Sequence, residues 1–159
     1  MTRVQVRRAV IADAAGIAAV HLGSWRETYT RLVEPGELDE LSAERREARW
    51  ATTLSEAHNV WVAEVDDGII GFAMTSSAAD DAPRPLVLES IYVFGAHHGS
   101  GAGQALLDAA LGDAPAYLFV AADNPRATRF YERNGFEFDG ASEQYALVRT
   151  PITSLRMVR

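Results

Sequence analysis

The segment from His97 to Leu107, HHGSGAGQALL, places three glycines at every second position and then continues into an apolar, alanine-rich stretch. Glycines this dense before a helix allow backbone N–H groups to close around an anion, commonly a phosphate. A tight turn that binds no ligand is the alternative. The segment predicts an anion site, and the rest of the chain must indicate which anion it binds.

A dinucleotide site is one interpretation. Asp123 ends the strand that follows the loop, at the distance where a ribose-binding acid could lie. The dinucleotide motif G-x-G-x-x-G fails, however, because it requires glycine where Gln104 or Leu106 stands. The chain after Asp123 is also too short for the second half of a doubly wound fold. This interpretation is therefore disfavoured.

Bulk composition narrows the function classes. The 159 residues are 48% hydrophobic with a formal net charge of −7, which predicts one globular domain over residues 1–159 and argues against nucleic-acid binding. The chain has no cysteine, and all 15 basic residues are arginine. Cysteine nucleophiles, thiolate metal sites and lysine-based phosphate or Schiff-base chemistry are therefore excluded. Because the N-terminus lacks a long apolar core, we expect a cytoplasmic protein without a membrane partner.

Hydrophobic periodicity and turn residues predict the element order β-α-α-β-β-β-α-β-α-β-β, that is, an α/β domain with a mixed central sheet flanked by about four helices. Asp66-Asp67-Gly68 indicates a hairpin. Residues 86–93 form a nearly apolar, central strand that enters the glycine loop, and a helix is expected over about 101–111. Asn124 followed by Pro125 predicts the start of the last helix.

A second segment, NPRATRFYERNGF, follows the glycine loop. Together the two segments resemble the signature sequences of the GNAT superfamily of acetyl-CoA-dependent N-acetyltransferases, in the same order and at a similar separation. The second motif, Asn-x-x-Ala-x-x-Phe-Tyr-x-x-x-Gly-Phe, is carried by Asn124, Ala127, Phe130, Tyr131, Gly135 and Phe136. The resemblance implies a GNAT-like fold along nearly the whole chain and acetyl-CoA as co-substrate, with no metal.

The resemblance assigns the CoA pyrophosphate to the glycine loop and the pantetheine arm to the strand before it. His98 and Ser100 depart from the residues usual in the family, which puts the affinity for CoA in question. Asn124 could contact pantetheine, or it could only cap its helix. The cofactor-binding residues implied are Ile91, Val93, His98, Gly99, Ser100, Gly101, Ala102, Gly103, Gln104 and Asn124.

Two side chains are candidates for catalysis. Tyr131 would donate a proton to the departing thiolate, because a phenol with a pKa near ~10 is protonated at neutral pH; packing in an aromatic cluster is the alternative. Glu89 could accept the proton of an ammonium acceptor, and strand alternation predicts that it shares a face with Ile91 and Val93. A charge at the exposed end of a strand is the other interpretation of Glu89.

His21, Trp25 and Tyr29 are spaced four residues apart and share one stripe of the first predicted helix. The resemblance makes Trp25 and Tyr29 candidates for binding a small-molecule or peptide amine acceptor, whereas packing against the sheet is the simpler interpretation. Metal binding by His97 and His98 is disfavoured, because adjacent side chains point apart. A homodimer stays open, as does an inactive acyl-CoA-binding or regulatory domain of the same fold.

Overall fold

The computed structural model describes residues 2–159, which form a mixed seven-stranded sheet flanked by four α-helices. The elements, in chain order, are β1 (Gln5–Arg8), α1 (Ala14–Tyr29), α2 (Ala43–Ser55), β2 (Asn59–Val65), β3 (Gly68–Ser77), β4 (Leu86–Val93), α3 (Ala102–Ala110), β5 (Ala116–Ala121), α4 (Pro125–Arg133), β6 (Glu137–Ala146) and β7 (Pro151–Val158). The predicted order of elements is confirmed.

Local contacts set the ends of two elements. Asp66 and Asp67 adopt positive φ angles of 49° and 64°, as the tight turn between β2 and β3 requires. The hydroxyl of Ser42 accepts a hydrogen bond from the backbone N–H of Arg45 at 3.2 Å and so caps α2. Both features involve residues close together in the sequence.

The strand order is β1-β2-β3-β4-β5-β7-β6. All neighbours are antiparallel except β4 and β5, which are parallel and pair only at Leu86 with Ala116 and Val87 with Tyr117. Beyond these pairs the two strands separate, so the sheet opens between them. A mostly antiparallel sheet is not the doubly wound parallel sheet that the dinucleotide interpretation needs.

Helices cover both faces of the sheet. α1 and α2 pack on one face, where Ile17, Trp50 and Phe72 belong to the same buried cluster. α3 packs on the other face, where Leu106 contacts the β2 and β3 core. Among the helices of residues 2–159, none has both the length and the hydropathy that a bilayer crossing would need.

Candidate active site

A cavity of about 1020 Å³ occupies the opening between β4 and β5 and extends to both faces of the sheet. Residues 87–93 and 118–121 form its middle. The glycine loop and α4 border one side, and α1, α2 and the segment 145–147 border the other. The incomplete pairing of β4 with β5 therefore creates a passage through the sheet, with a different set of side chains at each end.

The glycine loop joins β4 to α3. Gly99 and Gly101 have φ angles of 81° and 88°, which favour glycine, and a Cβ atom at either position would meet no atom within 4 Å. The backbone N–H of Ser100 donates to the His97 carbonyl at 3.2 Å, and that of Ala102 donates to the Ser100 hydroxyl at 3.3 Å. These two N–H groups are therefore already used within the loop.

The remaining N–H groups of the loop are free for a ligand. Among residues 2–159, no acceptor is found for the backbone N–H groups of Gly99, Gly101, Gly103 and Gln104. They lie at the N-terminus of α3, where the helix dipole also favours an anion. From Gly99 to Gly103, the N–H groups of the three glycines are free, whereas those of the two residues between them are bonded. Open space adjoins Gly99 and Gly101 where a side chain would stand.

His98 and Asn124 have defined partners beside the loop. The ring Nε2 of His98 donates to the carbonyl of Val93 at 2.8 Å, which ties the loop to the end of β4. The side-chain oxygen of Asn124 accepts from the backbone N–H of Ala127 at 3.2 Å, so the predicted cap of α4 is confirmed. The side-chain amide nitrogen of Asn124 keeps its donors, so capping and ligand binding are compatible.

One backbone edge of β4 faces the opening. The N–H of Phe94 donates to the carbonyl of Ile70 at 2.9 Å, so the backbone polar groups of Phe94 face β3. Since neighbouring residues of a strand alternate in direction, those of Tyr92 also face β3, whereas those of Ile91 and Val93 face the opening. An extended ligand in the opening could pair with this edge as a further strand would.

Tyr131 packs its ring in a buried cluster and also lines the cavity. The ring lies 5.5 Å from that of Phe130 and 6.0 Å from that of Phe136, within a buried cluster. The residue also lines the cavity, and its hydroxyl has no hydrogen-bond partner among residues 2–159. Burial, and to a smaller extent the nearby phenol of Tyr29, raises the pKa of Tyr131 above its ordinary value. The hydroxyl therefore stays protonated over the whole physiological range.

Glu89 lies in a β-bulge that alternation could not predict. Met74 pairs with Ser90 but Thr75 pairs with Leu88, so Glu89 is the extra residue of β4. Its carboxylate accepts a hydrogen bond of 2.6 Å from the hydroxyl of Ser76, on the α1 and α2 face. The prediction that Glu89 shares a face with Ile91 and Val93 was therefore wrong, because those side chains pack on the α3 face. Glu89 is exposed and lines the cavity.

Trp25 is part of a buried aromatic group on the α1 and α2 side of the cavity. Its indole N–H donates to the phenol oxygen of Tyr92 at 3.1 Å. The guanidinium of Arg46 lies 4.7 Å from the centre of the Trp25 ring, and the His21 ring lies 4.0 Å away. Arg46 therefore occupies the ring face of Trp25 on which a cationic ligand could otherwise bind. Tyr29, at the end of α1, is half-buried and lines the same side.

Tyr92 and Arg46 were not singled out from the sequence. The sequence did contain a signal for Tyr92, because alternation places its phenol on the opposite face from Ile91 and Val93. The structure agrees, since Tyr92 packs on the α1 and α2 face. Burial raises the pKa of Tyr92 well above its ordinary value, so this phenol also stays protonated. No signal in the sequence indicates that Arg46 would cover Trp25, because the contact depends on how α1 and α2 pack.

A buried carboxylate joins the connection between α1 and α2 to the residue before β7. Glu37, in the connection between α1 and α2, is fully buried and accepts hydrogen bonds from the Thr150 hydroxyl at 2.8 Å and from its backbone N–H at 3.1 Å. Burial opposes the charge, but these bonds and Arg149 outweigh it and lower the pKa of Glu37. The partners are 113 residues apart, so the sequence gives no sign of this contact.

Within residues 2–159, no group of three or more His, Cys, Asp or Glu side chains is arranged to hold a metal ion. His97 and His98 both line the cavity, but the ring of His98 is directed to the Val93 carbonyl. The polar groups that converge on the cavity are instead backbone donors, tyrosine hydroxyls, carboxylates and arginines.

Comparison with solved structures identifies the same architecture elsewhere. The PaiA N-acetyltransferase of Thermoplasma acidophilum, solved in complex with coenzyme A, is similar with a TM-score of 0.69 and 18% identity, over 96% of this chain and 97% of that one. The YncA protein of Salmonella typhimurium, solved with its cofactor acetyl-CoA, is similar with a TM-score of 0.71 and 20% identity, over 99% and 94%. At these identities the likeness concerns the fold.

Sequence comparison identifies the family as well as the fold. A Mycobacterium tuberculosis protein named "Probable N-acetyltransferase" is 30% identical over 146 residues, which span 87% of this chain and 83% of the relative. The family model described as an acetyltransferase (GNAT) domain matches residues 56–138, a range that contains β4, the glycine loop and α4. The chain belongs to the GNAT family and is an acyltransferase.

Proposed function

We propose that this chain transfers the acetyl group of acetyl-CoA to a primary amine by direct attack of the neutral amine on the thioester. The observation that carries the proposal is the cavity between β4 and β5. Free backbone N–H groups of the glycine loop border this cavity, and so does the hydroxyl of Tyr131. An elongated co-substrate with phosphates at one end and a thioester at the other would have partners at both ends.

The proposed binding mode uses the backbone more than side chains. The pyrophosphate would accept hydrogen bonds from the free N–H groups of Gly99, Gly101, Gly103 and Gln104, where the missing Cβ atoms leave room for its oxygens. In this mode Ser100 and Ala102 shape the loop, because their N–H groups are bonded within it.

The pantetheine arm would lie along the open edge of β4. Ile91 and Val93 would offer backbone groups there, and the side-chain amide of Asn124 would donate from the start of α4. His98 would act indirectly, by holding the loop against the carbonyl of Val93. His98 and Ser100 differ from the residues usual in the family. In this arrangement these differences remove none of the backbone N–H groups that would bind the pyrophosphate.

The chemistry needs a neutral amine, a stabilised oxyanion and an acceptable leaving group. As the C–N bond forms, negative charge develops on the thioester oxygen, and a backbone N–H of Ile91 or Val93 facing the opening would stabilise it. As the C–S bond breaks, the hydroxyl of Tyr131 would donate a hydrogen bond to the departing sulfur. Before the attack, Glu89 would take a proton from the ammonium form of the acceptor, directly or through water, and so generate the neutral amine. The proton that the nitrogen then loses on forming the amide would pass to the released thiolate through solvent.

Tyr131 suits stabilisation of the sulfur better than complete proton transfer. Burial raises the pKa of its phenol, whereas an ordinary thiol has a pKa of about 8.5. A full transfer from phenol to thiolate would therefore be uphill, but a strong hydrogen bond to the developing charge would not. The same hydroxyl stays protonated at alkaline pH, so Tyr131 should cause no loss of activity there.

On the acceptor side we assign Tyr29 and Trp25 to the wall of the amine site. Tyr29 could contact the acceptor with its phenol. Trp25 would act mainly as support, since Arg46 covers its ring and Tyr92 accepts its N–H. The acceptor is thus expected on the α1 and α2 side of the sheet, where Glu89 also lies.

The test is thiol release from acetyl-CoA with a panel of primary amines, with the acetylated product identified by mass spectrometry. The proposal predicts release that depends on one class of amine. Binding of CoA in calorimetry without turnover of any amine would contradict it and favour an inactive acyl-CoA-binding domain. Loss of CoA binding altogether would contradict both.

A further inference from the structure

Two arginines of α2 stand out on the acceptor side of the cavity. Arg46 and Arg49 are three residues apart and therefore share a face of the helix, and both line the cavity. We call them the arginine pair. They lie across the sheet from the glycine loop, so a phosphate bound at that loop would not neutralise them.

Within the described part of the chain, residues 2–159, no carboxylate forms an ion pair with either arginine of the pair. The ion pairs found within residues 2–159 involve other arginines, namely Arg7, Arg31, Arg149 and Arg156. Arg46 instead covers the ring of Trp25. Burial, followed by the positive charge of Arg49, lowers the pKa of Arg46, and no carboxylate acts on it in the opposite direction. Arg46 is thus held partly out of water beside a second cation, the exposed Arg49, which is costly without an anion.

The carboxylates that line the cavity have other positions or partners. Glu89 is bonded to Ser76, and Glu27 accepts the backbone N–H of Gly95 at 2.8 Å. Glu143 lies on β6, two residues from Tyr145. A further donor lies in the wall formed by α1, where the hydroxyl of Ser24 is buried without a partner and lines the cavity. Within residues 2–159, the α1 and α2 wall therefore offers a free hydroxyl and positive charge with no carboxylate in an ion pair with the arginines.

We infer that the acceptor amine also carries an anionic group, such as a carboxylate or phosphonate, and that the arginine pair binds this group. The amine would then point toward Glu89 and Tyr131 while the anion is held by guanidinium groups, whose planar donors suit carboxylate oxygens. This inference rests on the proposed acetyl transfer and narrows the acceptor to small acidic amines of the amino-acid type. The overall charge of −7 would instead favour cationic polyamines, so the local charge and the net charge give opposite predictions.

The experiment compares each amino acid with its carboxamide as acceptor for the full chain, with rates corrected for the fraction of neutral amine. Wild type should prefer the carboxylate form by about tenfold or more in kcat/KM, the size of one charge-assisted hydrogen bond. Arg46→Gln and Arg49→Gln should remove this preference while leaving the affinity for CoA unchanged. Arg46→Lys, which keeps the charge over Trp25, should retain part of it.

Arg45→Gln is the matched control, since Arg45 is an exposed arginine of the same helix and does not line the cavity; it should retain the preference. Equal loss with both acceptor forms would overturn the inference, as would a preference for polyamines, while leaving acetyl transfer intact. If no amine is acetylated, calorimetry with the CoA-saturated protein compares the Kd of N-acetyl amino acids with the Kd of their amides. Tighter binding of the carboxylate form that depends on Arg49 supports the inference, and equal binding overturns it.

Discussion

Gly101 allows a direct test of the glycine loop. Its φ angle of 88° is strained for any residue with a Cβ atom, and the space around that atom is open. The Cβ atom that Gly101→Val adds therefore meets no neighbouring atom, but the substitution costs about 1–2 kcal/mol while the backbone keeps this angle. The loop can avoid this cost only by turning its N–H groups away from the ligand. We expect the Kd for CoA to rise at least tenfold, equivalent to ~1.4 kcal/mol.

Gly140 provides the matched control. It has a φ angle of 89°, and a Cβ atom there would meet no atom within 4 Å, but it lies in β6 and does not line the cavity. Gly140→Val should lower the melting temperature about as much as Gly101→Val and leave the affinity for CoA unchanged. Calorimetry with CoA and thermal melts of both variants give the comparison. An unchanged Kd in folded Gly101→Val would refute the assignment of the anion to this loop.

Two further predictions concern pH. Glu89→Gln should lower the rate at neutral pH by more than threefold and by less at high pH, where the amine is already neutral; a pH–rate profile that merely shifts downward at all pH values would leave Glu89 a structural role through Ser76. Burial lowers the pKa of His21 from 6.5 to about 3, and its Nδ1 accepts the Trp50 N–H, so below about pH 6.5 the unfolded chain binds a proton that the folded chain does not. The free energy of unfolding should therefore fall by about 2 kcal/mol between pH 7.5 and 5, and denaturant titrations of His21→Asn, which keeps an acceptor for Trp50, should lack this part of the loss.

The sequence predicted the parts of the site that depend on local chemistry. The glycine loop, the Asn124 cap and the hairpin at Asp66 each follow from the conformational preferences of a few adjacent residues. Tyr131 was selected through a motif in the same helix, and its place beside the cavity agrees with that choice.

What the sequence did not predict depends on contacts between distant elements. The bulge at Glu89 arises from how β3 and β4 pair, so simple alternation assigned the wrong face. The Arg46 contact with Trp25 depends on the packing of two helices, and the Glu37 contact with Thr150 joins segments 113 residues apart. Such contacts have no local signature, and they shape the α1 and α2 side of the cavity.

The most direct test of the proposed mechanism is Tyr131→Phe, with kcat, the Kd for CoA and the melting temperature measured on one variant. The change keeps the ring against Phe130 and Phe136 and deletes only the hydroxyl. A lost hydrogen bond to a developing charge, worth about 1.5–3 kcal/mol, predicts a fall in kcat of roughly 10- to 100-fold with little change in the Kd. Wild-type kcat in this variant, measured with a good acceptor, would contradict the role of Tyr131 at the departing sulfur.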